Sequence, residues 1–292
     1  MEVYAMSVEK LQEKIRKTKS PVVADLSMKW EHIPPVLRQE RTECEALLAY
    51  CQELLKELKG VVPAVRFNFD QWALLNGLDA LSALLRQARA SGYYVLLDGP
   101  SVLTPWAAER AAAMLEEDSA WPCDSLIVSP YIGSDAMRAF LPYCKQGKSV
   151  FFAVRCPNRS ASELQDLMTG SRLVYTASAE QVARMAQSYI GKTGYSQVAV
   201  LTAATNTNAV QGLRSKHKNL FLLVDGLDYP GGNGKICSYG FDQLGHGCAV
   251  SAGPVITAAW SSDDANGEEY LTMAVQAAER IRNNLSRYVT IL

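Results

Sequence analysis

Eight short apolar runs recur along the chain, and the segments between them follow a helical pattern. The intervening stretches 45–60 and 77–92 place apolar residues three and four positions apart, and each ends in glycine. Nearly continuous apolar strands, each followed by a helix, predict a closed parallel (β/α)8 barrel, with an open doubly wound sheet as the alternative. The predicted strands are residues 21–26, 61–69, 93–98, 124–129, 149–154, 197–202, 219–225 and 247–252.

The chain is long enough to form the whole barrel as one unit. Its 292 residues, 48% of them apolar, can bury a full core. No linker rich in proline, serine or glycine divides it, and its composition does not shift along its length. We therefore expect a single domain over residues 1–292, with helical additions at both termini.

Charge and cysteine usage argue against several classes of partner. The 29 basic and 30 acidic residues leave a net charge of −1, which gives no reason to expect a nucleic-acid or membrane partner. No run approaches the roughly 18 apolar residues that span a bilayer. The seven cysteines form no C-x-x-C pair and no cluster with the three histidines that has the spacing of a metal site, so we expect no metal site. The N-terminal stretch lacks the apolar segment of a signal peptide, which favours the cytoplasm.

Candidate site residues follow the predicted strands, because a (β/α)8 barrel carries its chemistry on the loops after the carboxyl ends of its strands. Asp25 follows the first strand, Arg66 lies in the second and Asp98 ends the third. For Asp25 and Asp98, the alternative is a structural role as a helix cap. The predicted ligand-binding residues are Asp25, Ser129, Asn158, Thr205, Gly231 and Gly232.

The ordered series of segments resembles the bacterial branch of the orotidine 5′-monophosphate (OMP) decarboxylase family. It reads "PVVADL", "VRFNFDQWALLNG", "VLLDGPSVLT", "SPYIGSDAMRAFLP", "VAVLTAAT", "LLVDGLDYPGGNG" and "VSAGPVITAAW". The resemblance implies a dimeric (β/α)8 barrel that converts OMP to UMP without metal or organic cofactor. The loops containing "TPWAAER" and "SPYIGSD" keep the bulk that a dimer interface needs.

The chain departs from the family at the catalytic motif. The family's third strand ends in Asp-x-Lys-x-x-Asp, whose lysine protonates the carbanion that remains after loss of carbon dioxide. Here Asp98 keeps the first aspartate, Pro100 replaces the lysine and Leu103 replaces the second aspartate. Arg66 stands in place of a second family lysine. Proline and leucine carry no titratable proton, and a guanidinium is a poor proton donor.

The implied phosphate site is altered as well. The family's Gln-Gly-Gly turn after the seventh strand reads Pro230, Gly231 and Gly232 here, and the arginine after the eighth strand is replaced by Pro254. Each charge-assisted hydrogen bond of this kind is worth roughly 1.5 to 3 kcal/mol, so the loss of both predicts weak phosphate binding. The stretch 229–235 does not fit a Walker phosphate loop, which would need Gly at Tyr229 and Ser or Thr at Ile236, so a mobile glycine turn is the favoured interpretation of it.

Three functional hypotheses follow from these departures. The favoured one is a family member without catalysis that persists as a binding or assembly protein, as a homodimer or with an active paralogue, and takes a nucleotide-like small molecule. The second is an active OMP decarboxylase with substitute residues. The third is a barrel lyase that acts on another substrate.

Overall fold

Eight parallel strands close into a barrel in the computed structural model, which describes residues 7–262 and 269–292. In order around the barrel these are β1 (Val22–Asp25), β2 (Ala64–Asn68), β3 (Tyr94–Asp98), β4 (Ser125–Val128), β5 (Ser149–Ala153), β8 (Val198–Ala203), β9 (Leu222–Asp225) and β10 (Cys248–Ala252), and β10 pairs with β1. The predicted (β/α)8 barrel is therefore confirmed.

All eight predicted strands are present, with shifted ends. The second begins at Ala64 rather than at residue 61, because Val61 and Val62 donate their N–H groups to the Leu58 carbonyl oxygen and Pro63 has none to donate. The sequence did not predict the antiparallel hairpin of β6 (Met168–Thr169) and β7 (Arg172–Leu173), which lies outside the barrel. Strands of two residues are too short to show an alternating pattern.

Helices follow the strands as expected. α3 begins with a capping box, in which Thr42 and Glu45 satisfy each other's backbone N–H groups. No helix in the described ranges is both long and apolar enough to cross a bilayer. The helices are α1 (Ser7–Thr18), α2 (Pro35–Arg38), α3 (Glu43–Glu57), α4 (Phe69–Leu74), α5 (Leu78–Ala90), α6 (Pro105–Ala112), α7 (Ser134–Arg138), α8 (Leu141–Cys144), α9 (Ser162–Gln165), α10 (Val174–Ala186), α11 (Thr207–Lys216), α12 (Gly234–Ser238), α13 (Pro254–Thr257) and α14 (Tyr270–Leu285).

The core has two parts because successive residues of a strand face opposite sides. In β3, Tyr94 and Leu96 belong to the cluster inside the barrel, whereas Val95 and Leu97 belong to the layer between strands and helices. Helix α1 packs into the inner cluster, and its Ser7 Oγ lies 2.7 Å from the Tyr94 hydroxyl oxygen. It therefore covers the amino-terminal end of the barrel, and the candidate site lies at the opposite end.

Candidate functional site

A cavity of about 1060 Å³ lies at the carboxyl end of the barrel. The segments after β1, β2 and β9 contribute most of its wall, β3 contributes Asp98, and the segment after β10 contributes Gly253 and Pro254. In this fold the carboxyl ends of the strands are where active sites are built. The cavity is therefore the candidate functional site.

Arg66 forms the centre of the cavity floor. It faces inward because β2 alternates, so that Ala64, Arg66 and Asn68 share the inner side of the strand. Its Nε atom lies 2.8 Å from Asp98 Oδ1 and its Nη2 atom 2.9 Å from Asp98 Oδ2. This two-point pairing is the strongest geometry available to a guanidinium and a carboxylate.

The third nitrogen of Arg66 contacts two more carboxylates. Its Nη1 atom lies 3.0 Å from Asp225 Oδ2 and 3.2 Å from Asp25 Oδ2, and it also donates to Ser251 Oγ at 3.1 Å. Asp25 is the register partner of Arg66 in the neighbouring strand, and Asp225 ends β9. One cation therefore faces three carboxylates, and the floor carries an excess of negative charge.

The excess of negative charge shifts the pKa values of Asp25 and Arg66 on the cavity floor. Burial, together with the charges of Asp98 and Asp225, raises the pKa of Asp25 to about 6 although Arg66 opposes the rise. Burial lowers the pKa of Arg66, but the three carboxylates outweigh it and hold that pKa well above its ordinary value. Arg66 thus stays charged at any physiological pH and is not a proton donor.

The loops after β9 and β10 form the other end of the cavity. Asp228 Oδ2 accepts a hydrogen bond from the Gly253 N–H at 2.7 Å, which ties the two loops together. Burial raises the pKa of Asp228 to about 6. Pro230 and Pro254 line the cavity beside it and have no N–H to offer a ligand.

The two glycines of this turn have structural roles. Gly231 has a φ of +95°, a conformation that favours glycine. A Cβ atom on Gly232 would lie 2.3 Å from the Gly226 carbonyl oxygen, so only glycine fits there. Neither residue lines the cavity.

The structure brings together only part of the predicted site. Asp25, Arg66 and Asp98 meet on the floor, as expected. Of the six predicted ligand residues only Asp25 lines the cavity; the other five, which are Ser129, Asn158, Thr205, Gly231 and Gly232, lie outside the lining, and their contact with a ligand stays a prediction. Ser129 Oγ accepts from the Tyr131 N–H, Thr205 Oγ1 donates to the Pro157 carbonyl oxygen, and the Asn158 side chain is exposed.

The replaced catalytic positions also lie apart from the cavity. Pro100 and Leu103 do not line it, and the Leu103 side chain is 88% exposed. Between them, the Ser101 N–H and hydroxyl groups bond to Asp70, which holds this loop against α4. The strand-three loop therefore supplies the cavity with the Asp98 carboxylate alone.

Two acidic residues that line the cavity were not predicted as site residues from the sequence. Asp225 ends an apolar run in the same way as Asp98, and this shared pattern could have identified it. Asp228 lies three residues further on in a loop, where no periodic pattern applies. Within the described ranges, no group of three or more His, Cys, Asp or Glu side chains is arranged to hold a metal ion.

Comparison with known proteins gives consistent relatives. The orotidine 5′-phosphate decarboxylase of Rhodopirellula baltica is 27% identical over 252 residues, which are 82% of this chain and 83% of that protein. The one of Clostridium kluyveri is 24% identical over 285 residues, 96% of this chain and 97% of that protein. A Toxoplasma gondii structure assigned as an orotidine-monophosphate decarboxylase has a TM-score of 0.78 at 19% identity, over 97% of this chain and 99% of that one, and supports the fold. No protein-family model matches.

Proposed function

Because the chain belongs to the orotidine 5′-phosphate decarboxylase family, we propose that it is a member without decarboxylase activity. In this proposal the barrel mouth binds a nucleoside-like small molecule, and the protein acts in the cytoplasm as a binding or assembly partner in pyrimidine metabolism. It does so as a homodimer or together with an active paralogue.

One observation carries the proposal: the cation on the cavity floor is already neutralised. Arg66 pairs with Asp98, Asp25 and Asp225, and its pKa is raised, so it cannot protonate a carbanion. A decarboxylase must supply many kcal/mol of transition-state stabilisation, chiefly from preorganised charge. Here the charges stabilise each other instead of a substrate.

An assay of OMP conversion tests the proposal directly. The purified protein is incubated with carboxyl-labelled OMP, and released carbon dioxide is counted beside the Clostridium kluyveri decarboxylase as a positive control. We expect no release above the buffer background. Release that the substitution Asp98→Ala abolishes would contradict the proposal and assign catalysis to this cavity.

A second candidate function, residual decarboxylation, rests on Lys29. This residue lines the rim of the cavity and is the one lysine in the wall among the described residues. Its side chain is 75% exposed, and its Nζ atom lies 3.9 Å from Glu31 Oε1. If turnover is detected, Lys29→Met should remove it, and an unchanged rate would exclude Lys29 as the donor.

Assembly through the loop after β3 is supported by exposed apolar side chains. Leu103 is 88% and Trp106 66% exposed, and Arg110 stacks on the Trp106 ring with its Cζ atom 5.8 Å from the ring centre. Contiguous exposed apolar patches mark protein interaction sites, and these two side chains lie three residues apart at the start of α6. Buried in a symmetric contact, these side chains would form the centre of a dimer interface.

A further inference from the structure

The cavity floor has no free positive charge for an anionic ligand group. Each of the three nitrogen atoms of Arg66 already bonds to a carboxylate of the chain, through Asp98, Asp225 and Asp25. A ligand carboxylate placed there would meet this excess of negative charge. Like charges held close together at low dielectric repel strongly.

The opposite end of the cavity is where a barrel of this kind binds phosphate. The loops after the seventh and eighth barrel strands, here β9 and β10, usually hold the phosphate with their backbone N–H groups. In this chain the Gly253 N–H donates to Asp228 Oδ2 at 2.7 Å. The anion that the Gly253 amide holds is therefore a side chain of the protein.

Three further backbone positions of the two loops have no N–H group free for a phosphate. Pro230 and Pro254 have no N–H group, and the Gly232 N–H donates to the Tyr229 carbonyl oxygen at 2.8 Å. A phosphate entering this end would have to displace Asp228 or lie beside its negative charge.

We propose that Asp228 occupies the phosphate position of the barrel as an internal anion, and that Asp228 and Asp225 together select ligands that carry no phosphate and present a cationic, hydrogen-bond-donating group. Asp225 lies on the floor and pairs with Arg66, and Asp228 lies between the loops after β9 and β10. The inference rests on the proposed function of the cavity as a small-molecule binding site and names the chemistry of its ligand.

Unpartnered oxygen atoms in the wall agree with a donor-rich ligand. Asp228 Oδ1 and Gln71 Oε1 are buried and have no hydrogen-bond partner among the described residues, and both residues line this cavity. Buried acceptors of this kind normally find a donor. An ammonium or guanidinium group supplies several donors, whereas a phosphate supplies acceptors.

Three ligands of one scaffold test the inference. Calorimetric titration compares UMP, uridine and 5′-amino-5′-deoxyuridine, which differ at the 5′ position in being anionic, neutral and cationic. For the unaltered protein we expect the amino compound to bind at least tenfold more tightly than UMP, with uridine between them. Equal or tighter binding of UMP would overturn the inference.

Substitutions at position 228 distinguish the effect of the Asp228 charge from the effect of its hydrogen bond with the Gly253 N–H. Asp228→Ala removes the carboxylate and frees the Gly253 N–H, so the affinity for UMP should rise at least tenfold while the amino compound weakens. Asp228→Asn keeps an acceptor for Gly253 and should give a smaller gain; it carries the test if the alanine variant does not fold. Asp118→Ala, an exposed acid in the segment before β4, is the matched control and should change neither affinity.

Inorganic phosphate provides a readout that needs no nucleoside. It should raise the Tm of Asp228→Ala and leave that of the unaltered protein unchanged, because the substitution removes the negative charge and frees the Gly253 N–H. This result would support the role of Asp228 even if every nucleoside failed to bind, in which case the proposed nucleoside-like ligand alone would be wrong. No effect of phosphate on either protein, together with no gain in UMP affinity, would overturn the role of Asp228.

Discussion

Replacing Asp25 with asparagine is expected to stabilise the folded protein at pH 8. The Asp25 carboxylate shares a single guanidinium with Asp98 and Asp225, and it has the longest of the three contacts, 3.2 Å. Asparagine keeps the oxygen that accepts the Ser27 N–H at 2.9 Å and removes the charge. Arg66 retains two carboxylate partners, so no cation is left unpaired.

The magnitude follows from the pKa of Asp25, which the folded protein raises from 3.8 to about 6. One pKa unit corresponds to about 1.4 kcal/mol, so ionised Asp25 lowers the free energy of unfolding by up to about 3 kcal/mol. Asp25 titrates together with Asp98 and Asp225, so part of this free energy belongs to those neighbours. We therefore expect Asp25→Asn to raise the free energy of unfolding by about 1 to 3 kcal/mol and the Tm by several degrees.

The sign of the pH dependence is fixed by the direction of the pKa shift. A carboxyl group with a raised pKa contributes stability that is fully present below its unfolded value of 3.8 and is lost as the pH rises through about 6. The unaltered protein should therefore lose stability between pH 4 and pH 7 relative to Asp25→Asn. At pH 4 the two proteins should be nearly equal, because Asp25 is then largely protonated.

Thermal unfolding at pH 4, 5, 6, 7 and 8 measures this difference, with Asp118→Asn as the control. Asp118 is exposed, so its substitution should leave the pH profile unchanged. If Asp25→Asn were less stable than the unaltered protein at pH 8, or if the difference were the same at pH 4 and pH 8, ionised Asp25 would be a net stabilising partner of Arg66 and the reasoning would be refuted.

Three further predictions concern the counter-ion, the dimer and the catalytic motif. Arg66→Met should lower the free energy of unfolding by about 3 to 5 kcal/mol at pH 8, since it leaves buried carboxylates without their cation, and a Tm within two degrees of the unaltered protein would contradict this. Light scattering should give twice the chain mass of 32.0 kDa; Trp106→Asp should reduce it to one chain, whereas Leu164→Asp, at another exposed apolar site, should not. Pro100→Lys combined with Leu103→Asp should leave carbon dioxide release from OMP at background, and clear turnover would show that the rest of the site is competent.

The barrel and the centre of the site could be predicted from the sequence. Eight apolar runs with helical segments between them specify the barrel, and the carboxyl ends of its parallel strands share one edge. Asp25, Arg66 and Asp98 therefore had to lie close together wherever the loops went. The pairing of Arg66 with Asp98 follows from their places on adjacent strands.

The loop residues could not be placed in the same way. The path of the chain after β9 depends on Gly226, whose φ of +84° turns the loop, and on contacts with the loop after β10. The sequence does not reveal that Asp228 reaches the Gly253 N–H across this turn. The positions of Ser129, Asn158 and Thr205 depend likewise on loop conformations that no periodic pattern specifies.

The role of Arg66 links the altered motif to the proposed loss of catalysis. With the motif lysine replaced by Pro100, three carboxylates at the barrel mouth would face one another without a nearby cation. A guanidinium suits this position because it can pair with several carboxylates at once through fixed N–H groups, which a lysine ammonium does less well. The same pairing raises the pKa of Arg66 and so removes it from proton transfer. A stable charged floor requires Arg66 to stay protonated, whereas donation to a substrate requires it to release a proton. Its contacts with the three carboxylates favour the protonated form, and therefore stability.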